Sequence, residues 1–158
     1  MKLFMIEPEV AGEIGERTIY ENYDAITTKG ERPIVSHLHF VFMGWLGDDI
    51  IEVTPCFLIS EKLKEAIEKS ELKGYKFQNI ETSLSEEYEE MYPDREMPCF
   101  YRLLPQGIIS VQDEMYSNWD NMDFCVTEKS YLVLSEKAIN ILSCFQLDNA
   151  DITEIFPQ

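Results

Sequence analysis

The chain is built from short apolar runs of strand length, interrupted at two places by apolar positions at helical spacing. Residues 2–6 (KLFMI) read as a first strand, and Gly12, Gly15 and Gly30 keep residues 7–32 from forming any long element. From Ile34 to Phe42 the pattern predicts a strand with Leu38, Phe40 and Phe42 on one face and His37, His39 and Val41 on the other. Gly44 and Gly47 bracket Trp45-Leu46 in a turn, and Asp48-Asp49 leads into a strand at Ile50–Val53. Glu86–Glu90 are placed on a short helix with Tyr88 and Met91 at its apolar edge, ended by Pro93 and Pro98. Further strands are predicted at Phe100–Leu104 and Ile108–Val111, separated by a Pro105-Gln106-Gly107 turn.

The two helical stretches resemble each other. Residues 57–80 (FLISEKLKEAIEKSELKGYKFQNI) align without gaps on residues 132–155 (LVLSEKAINILSCFQLDNADITEI). Ser60-Glu61-Lys62 falls on Ser135-Glu136-Lys137, and Leu63, Ala66 and Ile67 fall on Ala138, Ile141 and Leu142, an apolar stripe at helical spacing in both. Each serine is positioned to cap a helix and each glutamate to sit favourably in its first turn. Gly74 falls on Asn149, the two residue types that best tolerate a left-handed conformation. The expected unit is a strand end, a helix and a return strand, used twice.

These elements predict an α+β fold: a single domain over residues 1–158, with two helix-plus-strand repeat units and additional short, mostly antiparallel strands. No Gly/Ser-rich or Pro-rich linker divides it. A chain of this length buries roughly 70% of its unfolded surface without staples, and hydrophobic and aromatic contents of 45% and 12% fit a packed globule. The N-terminus has no apolar run long enough for a classical signal peptide, and no segment reaches the roughly 20 apolar residues of a membrane span, so a cytoplasmic location is expected. In that compartment Cys56, Cys99, Cys125 and Cys144, each beside an aromatic residue, are expected to be unbridged and mostly buried.

Charge changes the picture most. Thirty acids against 13 bases give a net charge of −17, a field that repels nucleic acid and anionic membrane and attracts basic partners. Residues 81–96 carry seven acids and a single base, Arg95, and residues 113–128 carry no base. Aromatic residues stand within both stretches. Glu86, Glu87, Tyr88, Glu89, Glu90, Tyr92, Tyr116, Trp119 and Asp120 are therefore the candidate partner-binding residues: charge to steer a basic partner and rings to anchor it.

Catalytic patterns are weaker. His37 and His39 share a strand face and have the spacing of two metal ligands, with Asp48 or Asp49 as nearest further donors, but they read more simply as a polar strand face. Asp48 and Asp49 are adjacent on an extended chain and so point apart, which favours a turn with a capping carboxylate over an acid/base pair. There is no nucleophile elbow, Walker A loop or dinucleotide-binding glycine pattern. No cofactor, metal or catalytic residue is expected.

The stretch FLISEKLKEAIEKSELKGYKFQNIE, with LHFVFMGWLGDDIIEVTPCF before it and YLVLSEKAINIL near the C-terminus, resembles immunity proteins of bacterial polymorphic toxin systems. The resemblance covers roughly residues 34–80 and 122–155. It implies a non-catalytic protein that binds and blocks one cognate toxin in the cytoplasm of the producing cell, and it carries over no residue roles. With the acidity, it points to a basic toxin domain, a nuclease being the leading class, as the partner, with no nucleic acid or membrane. The rival readings are a small acidic hydrolase or metal-dependent enzyme using the His37/His39 and Asp48/Asp49 region, or a ligand-binding or adaptor domain.

Overall fold

Ser60 and Ser135 set the two main helices. Each serine is extended, and its Oγ accepts the amide hydrogen three residues on, from Leu63 at 3.3 Å and from Ala138 at 3.2 Å. In the computed structural model, which describes residues 1–158, the helices accordingly run Glu61–Glu68 and Glu136–Leu142. Leu63 and Ile67 are buried on the first, Ala138 and Leu142 on the second, as the apolar stripe predicts.

The elements before them are β1 (Leu3–Glu7), β2 (Gly12–Ile14), β3 (Ile19–Tyr20), α1 (Tyr23–Lys29), β4 (Val35–His37), β5 (His39–Phe42), β6 (Ile50–Val53) and β7 (Cys56–Ser60). The first main helix is then α2, followed by β8 (Tyr75–Gln78), β9 (Glu81–Leu84), α3 (Glu86–Met91) and β10 (Phe100–Pro105). After these come β11 (Gly107–Ile108), β12 (Ser110–Gln112), β13 (Met115–Ser117), β14 (Phe124–Val126) and β15 (Leu132–Ser135). The second main helix, α4, and β16 (Asp151–Pro157) complete a mixed α+β fold.

A four-stranded antiparallel sheet has the order β6-β7-β10-β8, and a seven-stranded sheet has the order β11-β14-β15-β1-β16-β13-β12. Inside the larger sheet, β14-β15-β1-β16 follows the same plan. Leu103 of β10 stands between Phe57 and Phe77, and Ile6 of β1 stands between Leu132 and Ile152. Even the helix entrances match: Glu61 N–H donates to Cys99 C=O, and Glu136 N–H to Lys2 C=O. The ends of the larger sheet, β11 and β12, are separated in the chain only by Ile109, so this sheet curls nearly closed.

Three apolar clusters fill the spaces. The largest joins the two sheets through Ile50, Phe57, Ile59 and Leu103 on one side and Ile6, Phe124, Leu132 and Leu134 on the other, with the buried residues of α2 and α4. The second lies on the opposite face of the four-stranded sheet, where Ile51, Cys56, Leu58 and Phe100 meet Leu38, Phe40 and Phe42 and Tyr88 of α3. The third sits inside the curl of the large sheet: Leu3, Ile109, Cys125, Val133 and Ile155.

Buried carboxylates tie these layers together. Asp49 accepts the Ser60 hydroxyl on one oxygen (2.8 Å) and the amide of Gln146, 97 residues away, on the other (2.8 Å). Asp123 accepts the Ser135 hydroxyl (2.6 Å) and the amide of Lys73 (2.8 Å). The same backbones reply, with Asp49 N–H donating to Gln146 C=O and Asp123 N–H to Lys73 C=O. Each helix cap is thus fastened to the loop that follows the other helix.

The structure corrects several expectations. The strand expected over 34–42 is broken at Leu38, where the chain passes from pairing with β3 to pairing with β2 and β9. α1 lies in the stretch read as irregular. It has no buried residue, so no apolar stripe announces it, although Gly30 (φ 65°) closes it in the left-handed conformation. Gly74 is left-handed (φ 90°) but Asn149 is not; it gives its backbone and side-chain amides to Asp48 instead. All four cysteines are free, but only Cys56 and Cys125 are buried, whereas Cys99 and Cys144 are exposed.

Replacing Asp123 by Ala strands the Ser135 hydroxyl and the Lys73 amide in the interior. We predict a loss of about 3 kcal/mol in urea unfolding, since breaking a buried, charge-assisted network costs several kcal/mol. Ser135→Ala removes the cap bond to the Ala138 amide and the hydroxyl donor to Asp123, and costs about 2 kcal/mol. In the double variant the loss is smaller than the sum of the two, because both substitutions remove the Ser135–Asp123 bond.

Candidate partner-binding surface

α3 carries the densest charge on the molecule. Ser85 is extended and its Oγ accepts the Tyr88 amide (3.1 Å), so the helix begins on three acids in its first turn, where they favour its positive end. Tyr88 turns inward and packs on Phe42 and Tyr92, with ring centroids at 6.0 and 5.2 Å. It is fully buried, so it anchors the helix and presents nothing to a partner, contrary to its place among the candidate binding residues. Helical geometry gives the reason: one residue per turn of this six-residue helix faces the core, and the only large apolar ring takes that place.

Glu86, Glu87, Glu89 and Glu90 are all exposed, and none forms an ion pair within the chain. Beside them Met91 is 55% exposed, and its methyl lies near Gly44. The adjoining β5–β6 loop presents Leu46, 61% exposed, a residue not among the candidate binding residues. That loop is rigidly built. The Leu46 amide donates to the buried Glu9 carboxylate (2.6 Å), and Trp45 Nε1 donates to Asp48 C=O (2.8 Å). Burial pushes the Glu9 carboxyl above its ordinary value, and the amides of Leu46 and Asp48 oppose that rise. Half-buried Tyr92 stacks under the Arg95 guanidinium, 3.8 Å from the ring centroid, and Arg95 also donates to Trp45 C=O. The one base of the acidic stretch is therefore committed to an aromatic platform.

The second set of candidates lies elsewhere. Tyr116 and Trp119 meet edge to face at 6.3 Å and lean, half-buried, on the third cluster, whereas α3 leans on the second. Trp119 Nε1 donates to Met122 C=O (2.9 Å). Asp120 is exposed, but its carboxylate accepts the amides of Ile108 and Met122 and so holds its own loop. Nearby, burial first and Asp120 second push the Cys125 thiol up to about 12. The two acid-rich stretches therefore do not form one packed constellation.

The histidines and the aspartate pair do not meet either. His37 Nε2 and Arg17 Nε each lie 2.7 Å from a Glu81 carboxylate oxygen, and those bonds hold the Glu81 carboxyl below its ordinary value. Buried His39 places Nε2 2.8 Å from Ser83 Oγ while its Nδ1 faces the Arg17 amide at 3.3 Å. Arg17 Nη2, which can only donate, also lies 3.2 Å from His39 Nε2, so Arg17 presents a donor to each nitrogen of the ring. Asp48 and Asp49 are fully engaged by Asn149, Ser60 and Gln146, with Lys62 Nζ 3.6 Å from Asp49. No group of three or more His, Cys, Asp or Glu side chains is arranged to hold a metal ion. No helix is long and apolar enough to cross a membrane.

Comparison with protein-family models, characterised proteins and solved structures finds no match to this chain.

Glu52, which shares the Ile50 face of β6, tests the electrostatics of the scaffold. Burial, with Glu7 adding repulsion, raises its carboxyl to about 6 from 4.5. A raised folded-state pKa means stability that is complete below pH 4.5 and is lost as pH rises through about 6. Glu52→Gln is therefore predicted to leave the melting temperature unchanged near pH 4.5 and to stabilise at pH 7. The gain is about 1 kcal/mol after allowance for the solvent that still reaches the group. Thermal unfolding at the two pH values measures it.

Proposed function

We propose that the chain is an immunity protein that binds and neutralises a cognate bacterial toxin in the cytoplasm of the producing cell, without catalysis. The observation that carries this reading is the exposed, ion-pair-free acidic face of α3, bordered by Leu46 and Met91 and seated on the fully buried Tyr88. A tight inhibitor needs rigid presentation of charge and apolar anchors together, and this helix offers both. The net charge of −17 supports a basic toxin domain as the target, with a nuclease the leading class, because proteins that grip phosphate backbones are themselves basic. The resemblance of residues 34–80 and 122–155 to immunity proteins supports the same reading.

We infer that the fold is a duplicated unit. Matching strand order, matching register and matching Ser–Asp caps support two copies of a strand, hairpin, helix and return strand. In this reading β1 and β10 are the exchanged first strands, each inserted into the other copy. The arrangement yields a stiff scaffold, which an inhibitor requires.

Co-expression with a candidate toxin from a neighbouring gene tests the reading: growth is restored if it is correct and not if it is wrong. Reversing Glu86, Glu87, Glu89 and Glu90 to Lys is predicted to slow association with that toxin at least 10-fold at low salt and to flatten the salt dependence. An unchanged rate and slope would remove α3 from the interface.

A further inference from the structure

The curl of the seven-stranded sheet leaves its mouth open. A groove of about 510 Å³ lies there, between the β12–β13 hairpin and the turn joining β14 to β15. Met5, Val111, Met115 and Tyr131 supply its apolar lining. Asp113, Glu114 and Glu128 supply three carboxylates that form no ion pair within the chain, against one base, Lys129, which is equally unpaired. The volume lies in the range of ligand sites, and barrel mouths are recurrent places for them.

One edge of the rim, at Asp113 and Glu114, is held in left-handed backbone. Every non-glycine residue with positive φ in the chain falls within 113–130: Asp113 (52°), Glu114 (63°), Asn118 (56°), Asn121 (68°) and Ser130 (68°). Asp113 and Glu114 are the two central residues of the β12–β13 hairpin, since Gln112 pairs with Met115. Two consecutive left-handed residues make a type I′ turn, for which Asp-Gly is the favoured sequence. Glutamate in the second position is held against its own preference, at a cost of the order that marks functional positions elsewhere. The same carboxylate lines the groove.

We propose that this groove is a docking site for an arginine-bearing segment of a basic partner protein. The aliphatic stem of arginine lies along the methionines and valine, the guanidinium faces the three carboxylates, and its flat, weakly hydrated face suits the Tyr131 ring. Charge complementarity and the mixed apolar and anionic lining select this occupant over an anionic or purely apolar one. For the partner's identity the proposal rests on the toxin-binding reading, which it deepens by naming the side chain recognised and a second contact region remote from the cluster under α3.

The test is an NMR titration of the full chain with the capped peptide acetyl-Leu-Arg-Leu-Gly-amide and with its citrulline isostere, which keeps the shape and removes the charge. Amide shifts are expected at residues 111–115 and 127–131, and the citrulline peptide is expected to bind at least about 5-fold more weakly, as charged hydrogen bonds lose their ionic part. Glu114→Gly is expected to melt at the same or a higher temperature yet bind the arginine peptide about 3-fold more weakly. Glu128→Gln weakens binding similarly, and Lys129→Gln tightens it. A purely structural groove would not give opposite signs at Glu128 and Lys129. Absence of binding, shifts centred on residues 86–91 or spread over the acidic surface, or equal affinity for the two peptides overturns the proposal. So does unchanged affinity in both glutamate variants. The co-expression experiment stays separate. Rescue that survives Glu114→Gly and Glu128→Gln keeps the toxin reading and removes the groove from that interface. Failure of the parent chain to rescue removes the toxin reading, and the titration alone then decides the groove.

Discussion

Two buried carboxylates, Asp49 and Asp123, hold the architecture in register. A carboxylate shut away from water is tolerable only when its oxygens are satisfied by donors fixed in place. Here each has the same two: a serine hydroxyl that is itself bonded to a helix amide, and a backbone amide from the loop after the other helix. The consequence is reciprocal. α2 cannot shift without disturbing Asp49, which is tied to the loop after α4, and α4 cannot shift without disturbing Asp123, tied to the loop after α2. The apolar cluster between the sheets gives the energy of collapse, and these directional bonds select one collapsed arrangement from many of similar area.

The symmetry of the clasps is not complete, and the departure is informative. Asp48, next to Asp49, holds the backbone and side-chain amides of Asn149. At the corresponding place beside Asp123 stands Met122, which packs against Gly74 so closely that a Cβ there would lie 2.7 Å from the methionine Cβ. A polar lock in one half is answered by steric contact in the other. Each solution is self-consistent, but a hybrid would not be, since Met122 could not satisfy an asparagine and Asp48 would lack partners opposite glycine.

What the sequence disclosed follows from the range of the interactions involved. The caps of α2 and α4 span three residues, so serine, glutamate and the apolar stripe announce both helices to within a residue. The alternation at Leu38, Phe40 and Phe42 likewise declares its buried face. The clasps join residues 50 and 97 positions apart, and nothing local marks Asp49 or Asp123 as buried rather than as turn residues. The β12–β13 hairpin was hidden for a different reason: its turn residues are Asp and Glu, not the glycine a type I′ turn favours. Tyr88 shows the limit for the candidate surface. Composition groups an aromatic residue with four acids, but only the helix phase separates the ring that anchors from the charges that face water.

The distribution of charge then separates stability from function. Inside, the polar groups are closely matched. Arg102 Nε is the one buried side-chain nitrogen or oxygen without a hydrogen-bond partner, and the same guanidinium still reaches Val35 C=O and Gln78 Oε1 through Nη1. Outside, most carboxylates are unpaired, and their mutual repulsion works against the compact state. A scaffold locked by buried clasps can sustain that repulsion where a looser one would expand. Seven of the exposed acids stand on α3 and around the mouth of the curled sheet, surfaces whose backbone is fixed by a buried tyrosine in one case and a strained hairpin in the other. Charge presented on fixed backbone loses little entropy when a partner arrives, which is the condition under which electrostatic attraction becomes binding rather than mere solubility.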